Sequence, residues 1–154
     1  MNDLYETLEA LIDSRPTAFI ASVDAEGWPC CKAMLAPRVR NGLRTFYFTT
    51  NTSSQRTAHY RRNPKASIYF CDEAAFRGVL LRGTMAVCED RATKALVWRD
   101  GDTEYYPLGP TDPDYCVLRF TAEKARYYSD YASQELDITD DTGSRPAENQ
   151  TIEP

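Results

Sequence analysis

The chain has 154 residues and a formal net charge of −5, and this length predicts one domain with its own hydrophobic core. No apolar run is long enough to cross a bilayer and no signal-peptide pattern opens the chain, so a membrane protein is not expected. The five cysteines are odd in number and none has C-x-x-C spacing. This argues against a disulfide framework and a thiolate zinc site, and makes a reducing cytoplasm the expected location.

The predicted elements are mostly strands joined by short turns. Leu4, Leu8, Leu11 and Ile12 share one face of a helix over residues 3–13. The segments that follow are strands over 17–23, 28–36 and 43–49, a helix over about 53–62, strands over 65–71 and 78–88, a helix over 90–99, a loop-rich segment over 101–114 and strands over 115–121 and 125–128. Successive strands with few helices between them predict a mainly β fold, a meander or Greek key, rather than alternating βαβ units.

Several strands are apolar on both faces, as in the segments 19–21 and 79–81. Strands of this kind suit a closed or nearly closed barrel whose outer face is partly covered. A second subunit is one way to cover that face.

The end of the chain differs in composition from the rest. From Ser133 onward it is acidic, poor in aromatic and β-branched residues, and contains two prolines. Such a composition is typical of segments that do not fold by themselves. We therefore expect residues 1–132 to form the folded domain and residues 133–154 to form a flexible acidic tail.

The segment 46–64 is the most informative for function. The β-prone run Phe46–Phe48 ends in a polar turn, which leads into a helix that opens with Ser53 and Ser54 and carries Arg56 in its first turn. A helix N-terminus offers free N–H groups and the positive end of a dipole. Hydroxyls and a guanidinium at that end predict an anion site, most often for phosphate.

The surrounding charges agree with an anion site. No Asp or Glu falls between Glu26 and Asp72, whereas that interval holds Lys32, Arg38, Arg40, Arg44, Arg56, Arg61, Arg62 and Lys65. The middle of an acidic chain is therefore basic, and an anionic ligand is expected there.

Other common site chemistries lack the residues they need. His59 is the one histidine, so a histidine-rich metal site is excluded, and its mid-helix place beside Tyr60 and Arg61 favours a solvated helix face. Cys30 and Cys31 are neighbours in a strand, so we expect them on opposite faces as small core residues. The glycines form neither a G-x-G-x-x-G nor a Walker loop, so no Rossmann or P-loop site is predicted.

The strand, turn and helix of this segment also carry a family resemblance. The run Phe-Tyr-Phe-Thr-Thr-Asn-Thr-Ser-Ser-Gln-Arg, followed by Arg-Arg-Asn-Pro-Lys-Ala-Ser-Ile, resembles the flavin-binding segment of the pyridoxamine 5′-phosphate oxidase-like split-barrel family, of the general stress protein 26 type. The segment 27–34 is similar to the family's second strand, and the similarity covers about residues 4–130. The resemblance implies a Greek-key, six-stranded antiparallel split barrel with helices, and a homodimer that binds FMN at the subunit interface.

The resemblance also implies cofactor-binding positions. They are Lys32, Met34, Leu35, Thr49, Thr50, Ser54, Gln55 and Arg56. Ser54 and Arg56 match the family's phosphate-binding Ser and Lys, whereas Gln55 stands where the family usually has Arg. Lys32 matches an Arg that helps to hold the cofactor, and the two threonines match turn residues along the ribityl-phosphate. Met34 and Leu35 would lie beside the edge of the isoalloxazine ring and contact it through their backbone groups. A cation near the ring, Lys32 or Arg38, would stabilise the anionic reduced flavin and raise its reduction potential.

Three departures from the family pattern argue against oxidation of vitamin B6. Gln55 removes one phosphate cation, and Gly78 stands where those oxidases have a Gln that reaches the flavin. The chain also lacks the C-terminal Arg- and His-bearing segment that they use for pyridoxal phosphate. The expected function is an FMN-dependent oxidoreductase that acts on an unknown small molecule.

Two other functions stay open. The protein could store or sense a flavin without turnover, or take a deazaflavin, whose longer anionic tail could use the same arginines. A small barrel can also bind single-stranded nucleic acid through basic and exposed aromatic residues. Candidates for that role are Arg38, Arg40, Arg44, Phe46 and Tyr47, although the acidic remainder of the chain opposes such binding.

Overall fold

The computed structural model of the protein describes residues 3–138. Its helices are α1 (Asp3–Asp13), α2 (Gln55–Arg62) and α3 (Arg91–Val97), with a short 3₁₀ helix over Asp102–Glu104. Its strands are β1 (Thr17–Val23), β2 (Pro29–Leu35), β3 (Val39–Asn41), β4 (Thr45–Asn51), β5 (Lys65–Asp72), β6 (Arg77–Cys88), β7 (Tyr115–Ser129) and β8 (Ala132–Asp137). The predicted helices and the predicted strands up to β6 are thus present, with ends shifted by small amounts.

All the strands join in one antiparallel sheet. The order is β2-β1-β5-β6-β7-β4-β3, and β8 pairs with β7. The six longest strands of this path, from β2 to β4, correspond to the six strands predicted for the barrel, and the short β3 is added beside β4. The predicted mainly β fold is therefore confirmed.

The sheet opens between β2 and β4, which do not pair with each other in the described structure, and β3 covers only the start of β4. This strand pairs with β4 only at Thr45, Phe46 and Tyr47, so the edge of β4 beyond Tyr47 has no strand partner within residues 3–138. The segments 32–36 and 48–51 line one cavity across this opening. The opening places two backbone edges and the start of α2 around the same space.

Aromatic side chains fill the interior of the barrel. Phe46, Phe48, Phe70 and Phe120 are all almost completely buried. The ring centroid of Phe46 lies 6.2 Å from that of Phe70 and 6.1 Å from that of Phe120, and the apolar face of α1 packs on the same cluster. Each side chain of this size contributes about 1.5–3 kcal/mol when it leaves water, so this core holds β4, β5 and β7 in place behind the opening.

The last two predicted strands are one continuous strand. β7 has 15 residues, and its pairing with β6 shifts between Arg82 and Gly83. The separate strands predicted over 115–121 and 125–128 were wrong because a bulge, not a turn, interrupts the alternation of side chains. A Cβ atom at Gly83 would lie 1.9 Å from the carbonyl oxygen of Thr121, so the close approach of the two backbones requires glycine there.

The predicted boundary at Ser133 falls inside β8. Residues 132–137 pair with β7 from Lys124 to Ser129, and Ile138 is buried in the main core. The boundary was therefore wrong, because backbone pairing and one isoleucine hold this acidic stretch against the sheet. Residues 139–154 of the predicted tail lie outside the described part of the chain.

β2 is an exposed terminal strand. Cys31 is exposed and Cys30 is half-buried, so the prediction that both are small core residues was wrong. Leu35 is 69% exposed and Trp28, just before the strand, is 66% exposed. Apolar side chains left open on a terminal strand mark a surface suited to being covered by another group.

Candidate functional site

A cavity of about 300 Å³ occupies the opening between β2 and β4. The start of α2 and the loop between α3 and β7 complete its walls. The lining residues are Lys32, Ala33, Met34, Leu35, Ala36, Arg38, Phe48, Thr49, Thr50, Asn51, Arg56, Tyr105 and Tyr106. Of the eight residues predicted to bind a cofactor, the structure brings together Lys32, Met34, Leu35, Thr49, Thr50 and Arg56.

The other two predicted residues, Ser54 and Gln55, stand next to this cavity rather than in its wall. Ser54 is the N-cap of α2, and its hydroxyl accepts a hydrogen bond from the backbone N–H of Thr57 at 3.4 Å. This bond is long for a cap, so the hydroxyl is weakly engaged. Gln55 lines a smaller cavity of about 130 Å³ that shares Lys32 and Arg56 with the first, so Gln55 borders the cationic end of the site and Ser54 precedes it in the chain.

Arg56 is oriented by a hydrogen bond and has no carboxylate partner among the described residues. Its Nε donates to the Oγ1 of Thr50 at 3.0 Å, and Thr50 is buried. Within the described residues neither Arg56 nor Lys32 forms an ion pair. Two cations therefore meet at one end of the cavity without a carboxylate to neutralise them, as an anion site requires.

Most of the other cations in the acid-free interval are engaged elsewhere. Arg40 pairs with Glu9 and Asp13 of α1 at 2.9 and 2.7 Å, and Arg61 pairs with Glu89. The guanidinium of Arg44 donates to the backbone carbonyls of Ala122 in β7 and of Ile138. The interval as a whole is therefore not a free basic surface, because its acidic partners come from distant parts of the sequence.

Arg38 lines the cavity but is neutralised by Asp102. Its two η-nitrogens each donate to one carboxylate oxygen at 2.8 Å, and both side chains are buried. Burial is the largest single effect on Asp102 and opposes its ionisation, but the hydrogen bonds from Arg38 and from the backbone N–H of Arg99, with the charges of both arginines, together outweigh it and hold the pKa of Asp102 below its ordinary value. Arg38 is therefore a poor candidate for the cation that tunes a flavin, and Lys32 is the better one.

Two tyrosines of the cavity wall were not among the predicted site residues. Tyr106 is 5% exposed and packs on Trp98 and Tyr115, with ring centroids 6.3 and 4.9 Å away. Burial raises the pKa of Tyr106 against the opposing effect of a hydrogen bond with Thr49, so its hydroxyl stays protonated. Tyr105 is 61% exposed and borders the cavity from the solvent side. The adjacent tyrosines in a loop were the only sequence signal, and it does not distinguish a cavity wall from packing.

The prediction that His59 lies on a solvated helix face was wrong. Its side chain is half-buried, and its Nδ1 lies 2.8 Å from the Oγ of Ser22 in a hydrogen bond. Both residues line the smaller cavity. The imidazole therefore joins α2 to β1 behind the cationic end of the site.

Gly78 marks where this chain departs from the oxidase pattern. A Cβ atom at this position would lie 2.2 Å from the hydroxyl oxygen of Tyr69 on the neighbouring strand. A larger side chain could enter only if Tyr69 moved away. The tyrosine thus occupies the space that a glutamine at position 78 would need.

The surface predicted for single-stranded nucleic acid is not formed. Phe46 is completely buried, and Arg38 and Arg40 are buried in ion pairs. Arg44 is engaged by backbone carbonyls, which leaves the half-buried Tyr47. Bases need exposed aromatic faces next to free cations, so this alternative loses its residues.

Other features of the described residues do not compete with this site. A larger cavity of about 680 Å³ lies on the outer face of the sheet and contains none of the eight predicted positions. No cluster of His, Cys, Asp and Glu within 3–138 could hold a metal ion. Among the helices that the structure describes, none is both long and apolar enough to cross a membrane.

The comparisons of this chain with known proteins agree on one family. Residues 4–129 match the family described as pyridoxamine 5′-phosphate oxidase. A pyridoxine/pyridoxamine 5′-phosphate oxidase of Bacteroides fragilis is 30% identical over 80 residues, which are 52% of this chain but only 33% of that protein. The match thus spans a third of the curated relative's length.

Solved structures extend the similarity over most of the chain. A Clostridium acetobutylicum protein related to general stress protein 26 of B. subtilis is 34% identical with a TM-score of 0.81, covering 90% of this chain and 97% of its own. General stress protein 26 of Bacillus anthracis is 18% identical with a TM-score of 0.72, covering 89% and 100%, and shows the shared fold. The split-barrel fold expected from the sequence is thereby confirmed.

Proposed function

Because the chain belongs to the pyridoxamine 5′-phosphate oxidase family, we propose that it binds FMN in the cavity between β2 and β4. The observation that carries this proposal is the meeting of Lys32 and Arg56 at one end of the cavity without ion-pair partners in the described chain. A phosphate monoester is close to dianionic near neutral pH, so two cations match its charge.

The cationic end fits a phosphate group in more than charge. Arg56 sits in the first turn of α2, where the helix dipole also favours an anion. The side chain of Gln55 borders the same end, and the weakly engaged hydroxyl of Ser54 caps the helix just before it in the chain. These groups can donate hydrogen bonds to phosphate oxygens, so most of the phosphate's acceptors would find partners.

The other end of the cavity fits a planar, mostly apolar ring. Its walls include Met34, Leu35, Ala36 and the ring of Phe48. β2 pairs only with β1 among the described strands, so its free edge keeps backbone N–H and C=O groups available. These groups can bind the polar edge of an isoalloxazine ring while the side chains contact its faces.

We further propose a flavin-dependent oxidoreductase that acts on a small molecule. The flavin would supply the redox chemistry, and the chain would bind it, orient it and exclude water from it. Lys32 would stabilise the negative charge of the reduced ring and so raise its reduction potential. Oxidation of vitamin B6 is not part of this proposal, because this chain has Gly78, packed beside Tyr69, where the pattern of those oxidases has a glutamine.

Storage of the flavin without turnover is the second candidate. The cavity wall includes no carboxylate or imidazole, so proton transfer to a substrate would depend on the lysine, the arginines, the tyrosines or water. Mixing the flavin-loaded protein with NADH or NADPH in a stopped-flow instrument separates the two functions. Reduction of the bound flavin supports an oxidoreductase, and an unchanged oxidised spectrum favours storage.

A visible absorption spectrum and a fluorescence titration test the binding proposal directly. The freshly purified protein should show flavin absorption, or should quench the fluorescence of added FMN at micromolar concentration. A deazaflavin added in competition establishes which of the two cofactors is preferred. Absence of flavin binding in both measurements would show that the proposal is wrong.

A further inference from the structure

The loop between α3 and β7 brings one exposed aromatic ring to the flavin cavity. Tyr106 in this loop is buried between Trp98 and Tyr115, so burial explains its place. Tyr105 has no such explanation, because 61% of it is exposed while it lines the cavity. Its ring is therefore available to a molecule that enters the cavity.

The position of Tyr105 is fixed by the core and not by a free loop. The backbone N–H groups of Tyr105 and Tyr106 each donate to the carbonyl of Asp102 at 2.9 Å. The carboxylate of Asp102 accepts two hydrogen bonds from Arg38 at 2.8 Å and one from the backbone N–H of Arg99 at 2.9 Å. A loop backbone held by a buried, bidentate pair is pre-organised, so less backbone entropy is lost when the loop binds a ligand.

The residues of β2 that line the cavity show how far a ring can lie from a phosphate. The lining along β2 has one end at Lys32, which has no ion-pair partner within residues 3–138, and the other at Ala36, four residues later; Arg38, which holds the loop, lies two residues beyond Ala36. At about 3.3 Å per residue in a strand, these two ends are roughly 13 Å apart, which leaves room for a ribityl chain between a phosphate and a ring. A phosphate at Lys32 and Arg56 would therefore leave the ring of FMN along the stretch from Met34 to Ala36, which lines the same cavity as Tyr105.

We propose that Tyr105 stacks its ring on the isoalloxazine of the bound flavin and is a ring-binding residue of this site. The inference rests on the proposed FMN function, and it adds an aromatic contact that the predicted cofactor positions do not include. Offset stacking of a phenol on a large planar ring is favourable without any specific hydrogen bond. The contact should therefore depend on the flavin ring and be independent of the phosphate.

Binding of two ligands separates the ring from the phosphate. FMN and riboflavin share the ring, and only FMN has the phosphate. We expect Tyr105→Ala to raise the Kd of both ligands by about tenfold, a factor typical of one stacked aromatic ring. Tyr105→Leu keeps apolar bulk without an aromatic face and should weaken both ligands in the same way. Tyr105→Phe should keep both affinities near the wild-type values.

Fluorescence of the bound flavin gives a second signature. A stacked tyrosine quenches flavin emission by electron transfer, and phenylalanine does so poorly. Bound FMN should therefore be brighter in Tyr105→Phe than in the wild type at similar affinity, which a merely structural role would not produce. Leu108→Ala is the matched control, because Leu108 lies in the same loop, is 72% exposed and does not line the cavity. It should change neither affinity nor brightness.

The possible failures are distinguishable. If the wild type binds neither FMN nor riboflavin, the FMN proposal is wrong and the stacking inference falls with it. If the wild type binds FMN, but Tyr105→Ala and Tyr105→Leu leave both affinities within twofold, only the stacking inference is overturned. Weakening of FMN alone, with riboflavin unchanged, would also overturn it, because the tyrosine would then act at the phosphate end.

Discussion

Arg56 differs from most arginines of its segment because its charge is left for a ligand. Thr50 orients the guanidinium of Arg56 through a hydrogen bond to its Nε. By contrast, Arg38, Arg40 and Arg61 form ion pairs with carboxylates. Within residues 3–138 Arg56 is positioned without an ion-pair partner, and such a charge is the usual sign of a binding site. Among the predicted site residues, Arg56 therefore allows the most direct test of phosphate binding by a single substitution.

Replacing Arg56 by glutamate should remove most of the affinity for FMN. A charge-assisted hydrogen bond is lost and repulsion is added, which together cost about 2 kcal/mol or more and raise the Kd by roughly 30-fold. Isothermal titration or fluorescence quenching with FMN measures the change. Riboflavin should be affected much less, because it has no phosphate.

Arg62→Glu is the matched control for the charge change, since Arg62 is exposed in the last turn of the same helix. It should leave FMN affinity within about twofold, because the exposed charge is screened by solvent. Equal effects of Arg56→Glu and Arg62→Glu would mean that only the overall charge matters. The phosphate contact of Arg56 would then be wrong.

At the scale of elements, the loop between α3 and β7 depends on a buried ion pair. Arg38 and Asp102 are 64 residues apart in the chain, are both buried and form a bidentate contact. The loop around this pair contributes Tyr105 and Tyr106 to the cavity wall. Removing one partner of such a pair is costly, because the other charge remains buried without compensation.

Asp102→Asn should therefore destabilise the protein by about 3 kcal/mol at neutral pH, measured by urea denaturation. The pKa of Asp102 is lowered in the folded state, so its ionised form stabilises the fold fully above the unfolded-state value of about 3.9. That contribution is lost as the pH falls through the still lower folded-state pKa. The difference between wild type and variant should thus shrink in acid below about pH 4.

Glu104→Gln is the control for this experiment, because Glu104 is exposed in the same short helix. Its effect should stay within about 0.5 kcal/mol. A loss of stability that is equal for the two variants, or one that does not depend on pH, would contradict a structural role of the Arg38–Asp102 pair.

The sequence predicted the helices and strands whose signals lie within a few neighbouring residues. The cap at Ser54, the apolar face of α1 and the alternation in β1 are all readable within a few residues. β3 and β8 were missed because three or six residues of mixed polarity form strands only through their partners. The pairing of Arg38 with Asp102 was unreadable for the same reason, and so the sequence overstated the free basic surface around the site.

At the scale of the whole molecule, the site is left open on the side of β2. Leu35 lines the cavity and is 69% exposed, and Trp28, just before the same strand, is 66% exposed. A terminal strand with apolar side chains facing solvent is a surface on which a second copy of the chain can pack. This supports the proposal of a homodimer whose partner closes the flavin cavity.

Leu35→Asp should weaken that dimer while leaving the barrel folded. Burying leucine contributes about 1.5–3 kcal/mol, and an aspartate in its place would have to be buried unpaired, so the dimer should dissociate at micromolar concentration. Light scattering after size exclusion should give twice the 17.5 kDa of one chain for the wild type and a value near one chain for the variant. FMN affinity should fall together with the dimer, because the cavity loses its cover.

Leu96→Asp on α3, where Leu96 is 49% exposed and outside the cavity, should remain a dimer with unchanged affinity. A wild-type protein that runs as a single chain, or a Leu35→Asp dimer as stable as the control, would show that the interface lies elsewhere or does not form.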